Sequence, residues 1–274
     1  MRKLWQTLEG ISIRMITTTR IGTREEPYPM IENVWDFFSK KGTKTIFISV
    51  GTGQSSAPDL EFAETIGCPI LKLDTPENIK KWTEVKTILQ TRKPTEQTTE
   101  FAKVAARKWV LPKNLILREV IPALTDGTIQ ENGETISTKK WFELVKEHCL
   151  SIGLTEEDIH IDMLKLDQCA YEASVLHSLW HSGFRPSLVL IHWTSSPDSE
   201  LQTLLSAAQL QMLGYVLVGK EGNRFLYYYT DVNYYETTSW EIVSKRFENP
   251  FIANLLKAVY PGAEGNIVQF PLEK

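Results

Sequence analysis

The stretch from Thr45 to Glu77 constrains the fold strongly, because it contains the patterns of a strand, a glycine turn, a helix and a second strand in succession. Thr45 to Val50 is an apolar run rich in β-branched residues, and it ends at Gly51-Thr52-Gly53. The two glycines allow a sharp turn close to a ligand. Ser56 and Asp59 have the spacing of a helix capping box, so a helix is predicted to follow the turn. A second apolar run, Ile70 to Leu73, is predicted to be the next strand.

The ends of these two strands carry groups suited to a nucleotide cofactor. Asp74 follows the second strand about twenty residues after the glycine turn, where an acidic side chain can accept hydrogen bonds from a ribose. Ser56 stands where a dinucleotide fingerprint has its third glycine, which favours S-adenosylmethionine over a nicotinamide cofactor. The alternative is an ordinary strand-to-helix turn that binds nothing. We predict that the cofactor is bound by Gly51, Thr52, Gly53, Gln54 and Asp74.

Composition indicates an ordinary globular protein. The chain has 274 residues, of which 42% are hydrophobic and 23% charged, so it can bury a substantial core as one domain. No apolar run approaches the roughly 18 residues of a membrane span, and the amino terminus has no continuous apolar signal core, so we expect a soluble protein. The widely spaced Cys68, Cys149 and Cys169 form neither a disulfide framework nor a CxxC metal motif, which favours reduced thiols and a cytoplasmic location.

Strand and helix patterns alternate along most of the chain. A helix is predicted from Met30 to Lys40, where apolar residues recur at helical spacing. The alternation implies a mostly parallel, doubly wound α/β sheet whose closing hairpin makes one late strand antiparallel. We divide the chain into a helical extension (1–43), a main domain (44–235) and a carboxyl-terminal extension packed on that domain (236–274). The other predicted features are strands over Asn114 to Val120, Ile159 to Leu166 and Ser187 to His192, turns at Asp126-Gly127 and Asn132-Gly133, and a hairpin of Tyr215 to Gly219 with Arg224 to Thr230.

The segment between Ile79 and Arg118 is strongly basic, with ten Lys or Arg residues against three acidic ones. Such a segment can bind an anionic substrate, a glycan or nucleic acid, or it can be the solvated face of helices that flank a loop. We favour the solvated face, because no nucleic-acid-binding module accompanies the charges.

A motif with more specific spacing lies between Asp162 and Trp193. Lys165 and Asp167 end a predicted strand, Glu172 opens the helix after it, and Arg185-Pro186 leads into the next strand. This arrangement resembles the FkbM-like methyltransferases, and the resemblance covers roughly residues 44–231. It implies a Rossmann-like class I methyltransferase: a mostly parallel seven-stranded sheet with helices on both faces and a C-terminal antiparallel hairpin. It also implies O-methyl transfer from S-adenosylmethionine.

Two polar side chains end neighbouring strands of the predicted sheet. Asp167 and His192 would lie at the carboxyl edge, where α/β sheets bind their ligands. A histidine can take a proton from an attacking hydroxyl while an aspartate orients it, so we predict both as catalytic, with Asp167 also among the cofactor-binding residues. In one alternative Asp167 holds a divalent cation that acidifies the hydroxyl. In another, Asp167 caps a helix and His192 is a hydrogen-bonded strand end.

Other polar residues of this region have structural interpretations. Lys165 faces away from its apolar neighbours in the strand, and we predict that it pairs with Glu172 or another carboxylate. His177 and His181 have the i, i+4 spacing of many metal-binding pairs, but the sequence offers no third ligand, so no metal site is predicted.

The motifs lead to two hypotheses of different class. The first is an S-adenosylmethionine-dependent O-methyltransferase that acts on a hydroxyl of a sugar, a glycan or another small molecule. The rival is a catalytically inactive methyltransferase-fold binding or scaffold protein. It is supported by Cys169, Ala170 and His192, which stand where the family has Glu, Gly and Glu. A nicotinamide oxidoreductase is disfavoured by Ser56. The predicted partner is a small-molecule or glycan acceptor, and neither nucleic acid nor a membrane is expected.

Overall fold

The computed structural model describes residues 16–22, 27–32, 42–51, 57–91, 115–131, 133–167, 172–193 and 213–229, with short pieces at 3–4, 7–8, 11–12, 93, 112, 206 and 209–210. In chain order the strands are β1 (Lys3–Leu4), β2 (Thr7–Leu8), β3 (Ile11–Ser12), β4 (Ile16–Gly22), β5 (Pro27–Ile31), β6 (Phe47–Val50), β7 (Ile70–Asp74), β8 (Leu115–Ala123), β9 (Gly127–Glu131), β10 (Glu134–Lys140), β11 (Met163–Asp167), β12 (Leu188–His192), β13 (Tyr215–Glu221) and β14 (Arg224–Tyr229). The helices whose full extent is described are α1 (Ala57–Ile66), α2 (Pro76–Thr91), α3 (Trp141–Ser151) and α4 (Glu172–His181). None of the described helices is long and apolar enough to cross a membrane.

Within the described residues, nine strands form a central sheet in the order β13-β14-β12-β11-β6-β7-β8-β10-β9. Neighbouring strands from β12 to β8 are parallel, and β10 is parallel to β8. β14 is antiparallel to both β12 and β13, so the carboxyl-terminal hairpin closes the sheet as predicted. Without β9 and β10, this is the strand order of the Rossmann-like methyltransferase sheet. The predicted fold class is therefore confirmed.

Two hydrophobic cores cover the sheet, one on each face, because successive side chains of a strand point to opposite sides. On one face α3 and α4 pack against strand residues such as Ile48 and Leu164. On the other face α1, α2 and the β4–β5 hairpin pack against residues such as Phe47 and Ile70. The central strands are mostly apolar on both sides for this reason, as is typical of parallel sheets.

The central sheet has two strands more than the seven that the sequence predicts. β9 and β10 form a hairpin after β8 and extend that edge of the sheet. Ile129 of β9 lies opposite Ile136 of β10, and this pair packs on the first core. Each of the two strands has only one isoleucine among polar residues, so neither has enough apolar alternation to predict a strand. Only the turns that flank them are visible in the sequence.

The predicted helix from Met30 is wrong at its start. Met30 and Ile31 belong to β5, which pairs antiparallel with β4. All residues from Tyr28 to Ile31 are buried, because β5 packs beneath β13 and β14, and a continuous apolar run of this kind resembles a helix face in sequence. All the secondary structure described before residue 42 therefore consists of strands, β1 to β5. Residues 33–41 and 230–274 lie outside the described part, and the division into a domain and two extensions stays a prediction.

Two of the three cysteines lie in the described residues. Cys68 and Cys149 are both buried, and Cys68 is a free thiol. Burial raises the pKa of the Cys68 thiol to about 12, so this thiol stays protonated. Cys169 lies outside the described residues.

His148 of α3 is a buried histidine on the side of the central sheet that α3 and α4 cover. Neither ring nitrogen has a hydrogen-bond partner among the described residues. Burial, together with the charge of Arg118, lowers the pKa of His148 to about 4 from an ordinary value of 6.5. Between these pH values the imidazole of His148 binds a proton only in the unfolded chain, which favours unfolding. The contribution of neutral His148 to the free energy of unfolding is therefore complete above pH 6.5 and is lost as the pH falls toward 4.

The free energy of unfolding should therefore fall by about 2 kcal/mol between roughly pH 7 and pH 5 through His148 alone. His148→Leu removes the titrating group and keeps an apolar side chain in the core, so its unfolding free energy should depend less on pH by that amount. Urea unfolding of both proteins at the two pH values measures the difference. The same pH dependence in the variant would contradict the prediction.

Candidate functional site

The sequence Leu-Lys-Leu-Asp ends two of the central strands. It occurs from Leu71 to Asp74 in β7 and from Leu164 to Asp167 in β11, and these strands lie on either side of β6. The register pairs both Lys72 and Lys165 with the same residue of β6, Ser49. Because side chains alternate along a strand, these lysines and the aspartates that follow them lie on the sheet face that carries α1.

A buried ion cluster fills the space between the two lysines and α1. Asp59 of α1 lies 2.9 Å from Lys72 Nζ through Oδ2 and 2.8 Å from Lys165 Nζ through Oδ1. Ser49 donates a hydrogen bond of 2.8 Å to Asp59 Oδ2. Burial opposes the charged carboxylate, but Lys165 and Lys72 hold the pKa of Asp59 below its ordinary value. We call these four residues the Asp59 cluster, and it joins α1 to three strands.

The glycine turn after β6 rests on this cluster. Lys72 Nζ donates hydrogen bonds to Ser49 Oγ and to the carbonyl oxygen of Gly51. Gly51 has a φ of 75°, a left-handed conformation that disfavours a Cβ, and its N–H donates to the Leu73 carbonyl over 3.0 Å. The predicted turn therefore begins at the carboxyl end of β6. Three predicted cofactor residues lie outside the described residues: Thr52, Gly53 and Gln54.

Asp74 ends β7 beside the glycine turn and is buried. Its Oδ1 accepts hydrogen bonds from Thr75 N at 2.7 Å and from Asn78 Nδ2 at 3.0 Å, at the start of α2. Its Oδ2 is buried and has no hydrogen-bond partner among the described residues. A buried carboxylate oxygen without a donor is unfavourable, and a ligand hydroxyl can supply that donor.

Asp167 and His192 meet at the carboxyl ends of β11 and β12. They are register partners, and His192 Nδ1 lies 2.9 Å from Asp167 Oδ1, which accepts its proton in a hydrogen bond. Tyr28 of β5 donates to Asp167 Oδ2 over 2.5 Å, and its ring meets the His192 ring edge-on. Lys165 lies 2.9 Å from the same Oδ2. The two predicted catalytic residues are thus in direct contact, and Lys165 links them to the Asp59 cluster.

Of this pair, only His192 reaches the surface. Its side chain is 14% exposed, whereas that of Asp167 is 0% exposed. Burial opposes ionisation of Asp167, but the charge of Lys165 and the hydrogen bonds from His192 and Tyr28 hold its pKa well below the ordinary value. Asp167 is therefore an anion that accepts the Nδ1 proton of His192 and directs Nε2 away from it. The catalytic and cofactor-binding roles of these residues stay predictions.

The geometry disfavours a divalent cation at Asp167. Both of its oxygens already accept hydrogen bonds, and a cation there would lie close to the buried ammonium group of Lys165. Among the described residues, no group of three or more His, Cys, Asp or Glu side chains is placed to hold a metal. His177 and His181 lie on the exposed side of α4 with their Nε2 atoms 3.0 Å apart.

Lys165 pairs with two carboxylates, Asp59 and Asp167, so the predicted pairing with a carboxylate is confirmed. The repeated Leu-Lys-Leu-Asp is the signal for it, because a lysine at an inward position of an apolar strand needs a buried partner. Two other members of the site have contacts that the sequence does not predict. Asp59, which has the spacing of a capping box with Ser56, contacts two lysines. No sequence signal relates Tyr28 to this edge.

The basic segment from Ile79 to Arg118 is described only in part. On α2, Lys80 and Lys81 are exposed, and Lys81 pairs with Glu77 over 2.8 Å. This part of the segment is a solvated helix face. Residues 92, 94–111 and 113–114 lie outside the described residues.

Comparison with protein-family models and with curated proteins gave no match. Among solved structures, the chain is similar to the MycE methyltransferase from the mycinamycin biosynthetic pathway in complex with Mg and SAH, at 12% identity and a TM-score of 0.32. That similarity covers 72% of this chain and 44% of the MycE chain, so this chain spans less than half of the MycE chain. It is also similar to M. capricolum TrmK in complex with S-adenosyl-homocysteine, at 10% identity and a TM-score of 0.35, over 86% of this chain and 88% of that one.

Proposed function

We propose that this protein is an S-adenosylmethionine-dependent O-methyltransferase of the FkbM-like type, which acts on a hydroxyl of a sugar, a glycan or another small molecule. The observation that carries the proposal is the contact between His192 and Asp167 at the sheet edge that also holds Gly51 and Asp74. Open α/β sheets bind their ligands at this edge. The buried free thiol of Cys68 supports a cytoplasmic location as part of the proposal.

Two features of this edge fit the cofactor. Gly51 has no side chain at the turn after β6, so a ligand can approach the backbone there. Asp74 offers a buried oxygen without a described partner one strand away, where it can accept a hydrogen bond from a ribose hydroxyl. Thr52, Gly53 and Gln54 would complete the cofactor loop. When bound, S-adenosylmethionine supplies an electrophilic methyl group on a sulfonium.

The residues at the end of β11 and β12 can make an acceptor hydroxyl nucleophilic. In the proposed transfer His192 Nε2 would take the hydroxyl proton while the hydroxyl oxygen forms its bond to the methyl carbon. The bond from that carbon to the sulfonium sulfur would break at the same time and leave S-adenosylhomocysteine. Asp167 holds the Nδ1 proton, which fixes the tautomer with Nε2 as the acceptor, and its charge stabilises the imidazolium that forms. Lys165 and Tyr28 keep Asp167 ionised and in place. All four of these residues belong to strands, which hold their side chains in fixed positions.

A methyltransferase-fold binding or scaffold protein without catalysis is the second candidate. It is favoured by Cys169 and His192, which stand where the resembling family has carboxylates, and by the internal hydrogen bonds that occupy Asp167. Such a protein would bind the same cofactor without turnover. Binding and methyl transfer must therefore be measured separately.

Calorimetry with S-adenosylmethionine, S-adenosylhomocysteine and NAD tests the cofactor. We expect the first two to bind and NAD not to bind comparably. Methyl transfer is then followed with methyl-labelled S-adenosylmethionine and a panel of sugars, glycans and hydroxy acids. Binding without any product would favour the binding protein, and no binding of either adenosyl compound would refute both candidates.

Asp74→Ala should weaken S-adenosylmethionine binding by about 1 to 3 kcal/mol, because it removes the acceptor of charge-assisted hydrogen bonds. The same change disturbs the start of α2, so Asn78→Ala is the matched control: it removes one donor to Oδ1 and keeps Oδ2. The affinity of this control should stay within about 0.5 kcal/mol of the wild-type value. Equal losses of affinity in the two variants would argue against a ribose contact by Asp74.

A further inference from the structure

Arg224 lies at the same sheet edge as His192, on the next strand. It is the first residue of β14, directly after the turn from β13, and it is the register partner of His192. Directly opposed residues of neighbouring strands have Cβ atoms about 5 Å apart and side chains on the same face. A molecule that contacts His192 therefore comes within reach of the Arg224 guanidinium.

The guanidinium of Arg224 has no carboxylate partner among the described residues. Glu221, its register partner across the hairpin, is paired instead with Arg20 at 2.7 Å. Asp167 already accepts contacts from three other groups. Arg224 Nε is buried and lacks a hydrogen-bond partner within the described part of the chain. The guanidinium hydrogen-bonds the neutral hydroxyl of Tyr28 but contacts no carboxylate directly in the described part of the chain. A half-buried cation with no carboxylate in contact is unfavourable, so this position suits an anion from outside the chain.

Tyr28 holds the base and the cation in a fixed relation. The Arg224 Cζ atom lies 4.5 Å from the centroid of the Tyr28 ring, in a cation–π contact. The same ring meets His192 edge-on, with 6.4 Å between ring centroids. A guanidinium held against an aromatic ring is pre-organised, and its planar fork matches a carboxylate or a phosphate through two parallel hydrogen bonds.

We infer that Arg224 binds an anionic group of the acceptor, a carboxylate or a phosphate, while His192 takes the proton of the acceptor hydroxyl. The role of the hydroxyl rests on the proposed function, whereas the anion site rests on the contacts of Arg224. The inference narrows the acceptor from sugars and other hydroxyl compounds in general to hydroxy acids and phosphorylated sugars or polyols.

Matched pairs of acceptors test this substrate class, namely glycerol against phosphoglycerol and lactamide against lactate. We expect the wild type to use the anionic member of at least one pair with the lower KM. Arg224→Gln should raise that KM by about 10- to 100-fold and leave the KM of the neutral member unchanged. Arg224→Lys keeps the charge but lacks the planar guanidinium, so its KM for the anionic acceptor should lie between the values of the wild type and of Arg224→Gln. The preferred pair identifies the anion as phosphate or carboxylate.

Anion binding is measured without turnover, by calorimetry with inorganic phosphate and with acetate, in the presence and absence of S-adenosylhomocysteine. We expect at least one anion to bind the wild type and Arg224→Gln to lose that binding. Arg118→Gln makes the same change at an exposed arginine of β8, away from Arg224 and Glu221, and should bind like the wild type. Arg224→Lys replaces Arg224→Gln if the latter does not fold.

These measurements separate the anion site from the proposed function. Anion binding that depends on Arg224, without methyl transfer to any acceptor, would support the anion site and count against the O-methyltransferase. The inference is wrong if neither anion binds the wild type, or if Arg118→Gln loses as much binding as Arg224→Gln. It is also wrong if Arg224→Gln raises the KM of neutral and anionic acceptors equally.

Discussion

Replacing His192 with glutamine should lower kcat for methyl transfer by about 10²- to 10⁴-fold, the usual contribution of a general base. Glutamine can still donate a hydrogen bond toward Asp167, so the buried carboxylate keeps a donor on the side that His192 occupies. The variant lacks only the nitrogen that accepts the proton of the acceptor. Affinity for S-adenosylmethionine should be unchanged, because Gly51 and Asp74 lie at the ends of other strands.

The pH dependence of kcat distinguishes loss of the base from general damage. A base must be unprotonated to act, so wild-type turnover should fall on the acidic side of the profile, and His192→Gln should lose that limb. His181→Gln is the matched control, because His181 lies on the exposed side of α4. Full activity of His192→Gln with an unchanged pH profile would show that the base lies elsewhere.

Replacing Asp59 with asparagine should lower the free energy of unfolding by about 3 to 5 kcal/mol, because two buried ammonium groups would then face a neutral side chain. Asparagine has nearly the same shape, so the variant isolates the charge. Lys72 and Lys165 are 0% and 1% exposed, and water cannot replace the lost partner. The lysines hold the pKa of Asp59 below 3.8 despite its burial, so its contribution is present above that pH and is lost as the pH falls below it.

An exposed ion pair on α2 provides the control for this variant. Glu77 and Lys81 are 66% and 62% exposed, and Glu77→Gln should cost at most about 0.5 kcal/mol. Urea unfolding at neutral pH measures both variants. A loss below about 1 kcal/mol for Asp59→Asn would show that a lysine of the cluster is neutral in the folded protein. That lysine would be Lys72, because burial and the charge of Lys165 lower its pKa against the opposing effect of Asp59.

The patterns of the sequence are sufficient to predict the central sheet and the edge at which its parallel strands end. Strands buried on both faces are mostly apolar, so β6, β7, β11 and β12 can be recognised as short, largely apolar runs. Alternation with helices makes these strands parallel, which brings their carboxyl ends to one edge. The contact between Asp167 and His192 could be predicted over 25 residues for this reason, since each residue ends its strand.

The other side chains at that edge are brought there by packing between segments that are distant in the chain, and the sequence does not predict them. Tyr28 reaches Asp167 across 139 residues of chain, and strand alternation says nothing about where the amino-terminal hairpin packs. The sequence indicates the faces of α1 and β7 on which Asp59 and Lys72 lie, but it does not indicate that the two residues form an ion pair. Periodicity fixes the side from which a side chain leaves its strand or helix. Whether a charge on that side meets water or an opposite charge depends on the element that packs over it, and that packing arises only when distant segments assemble.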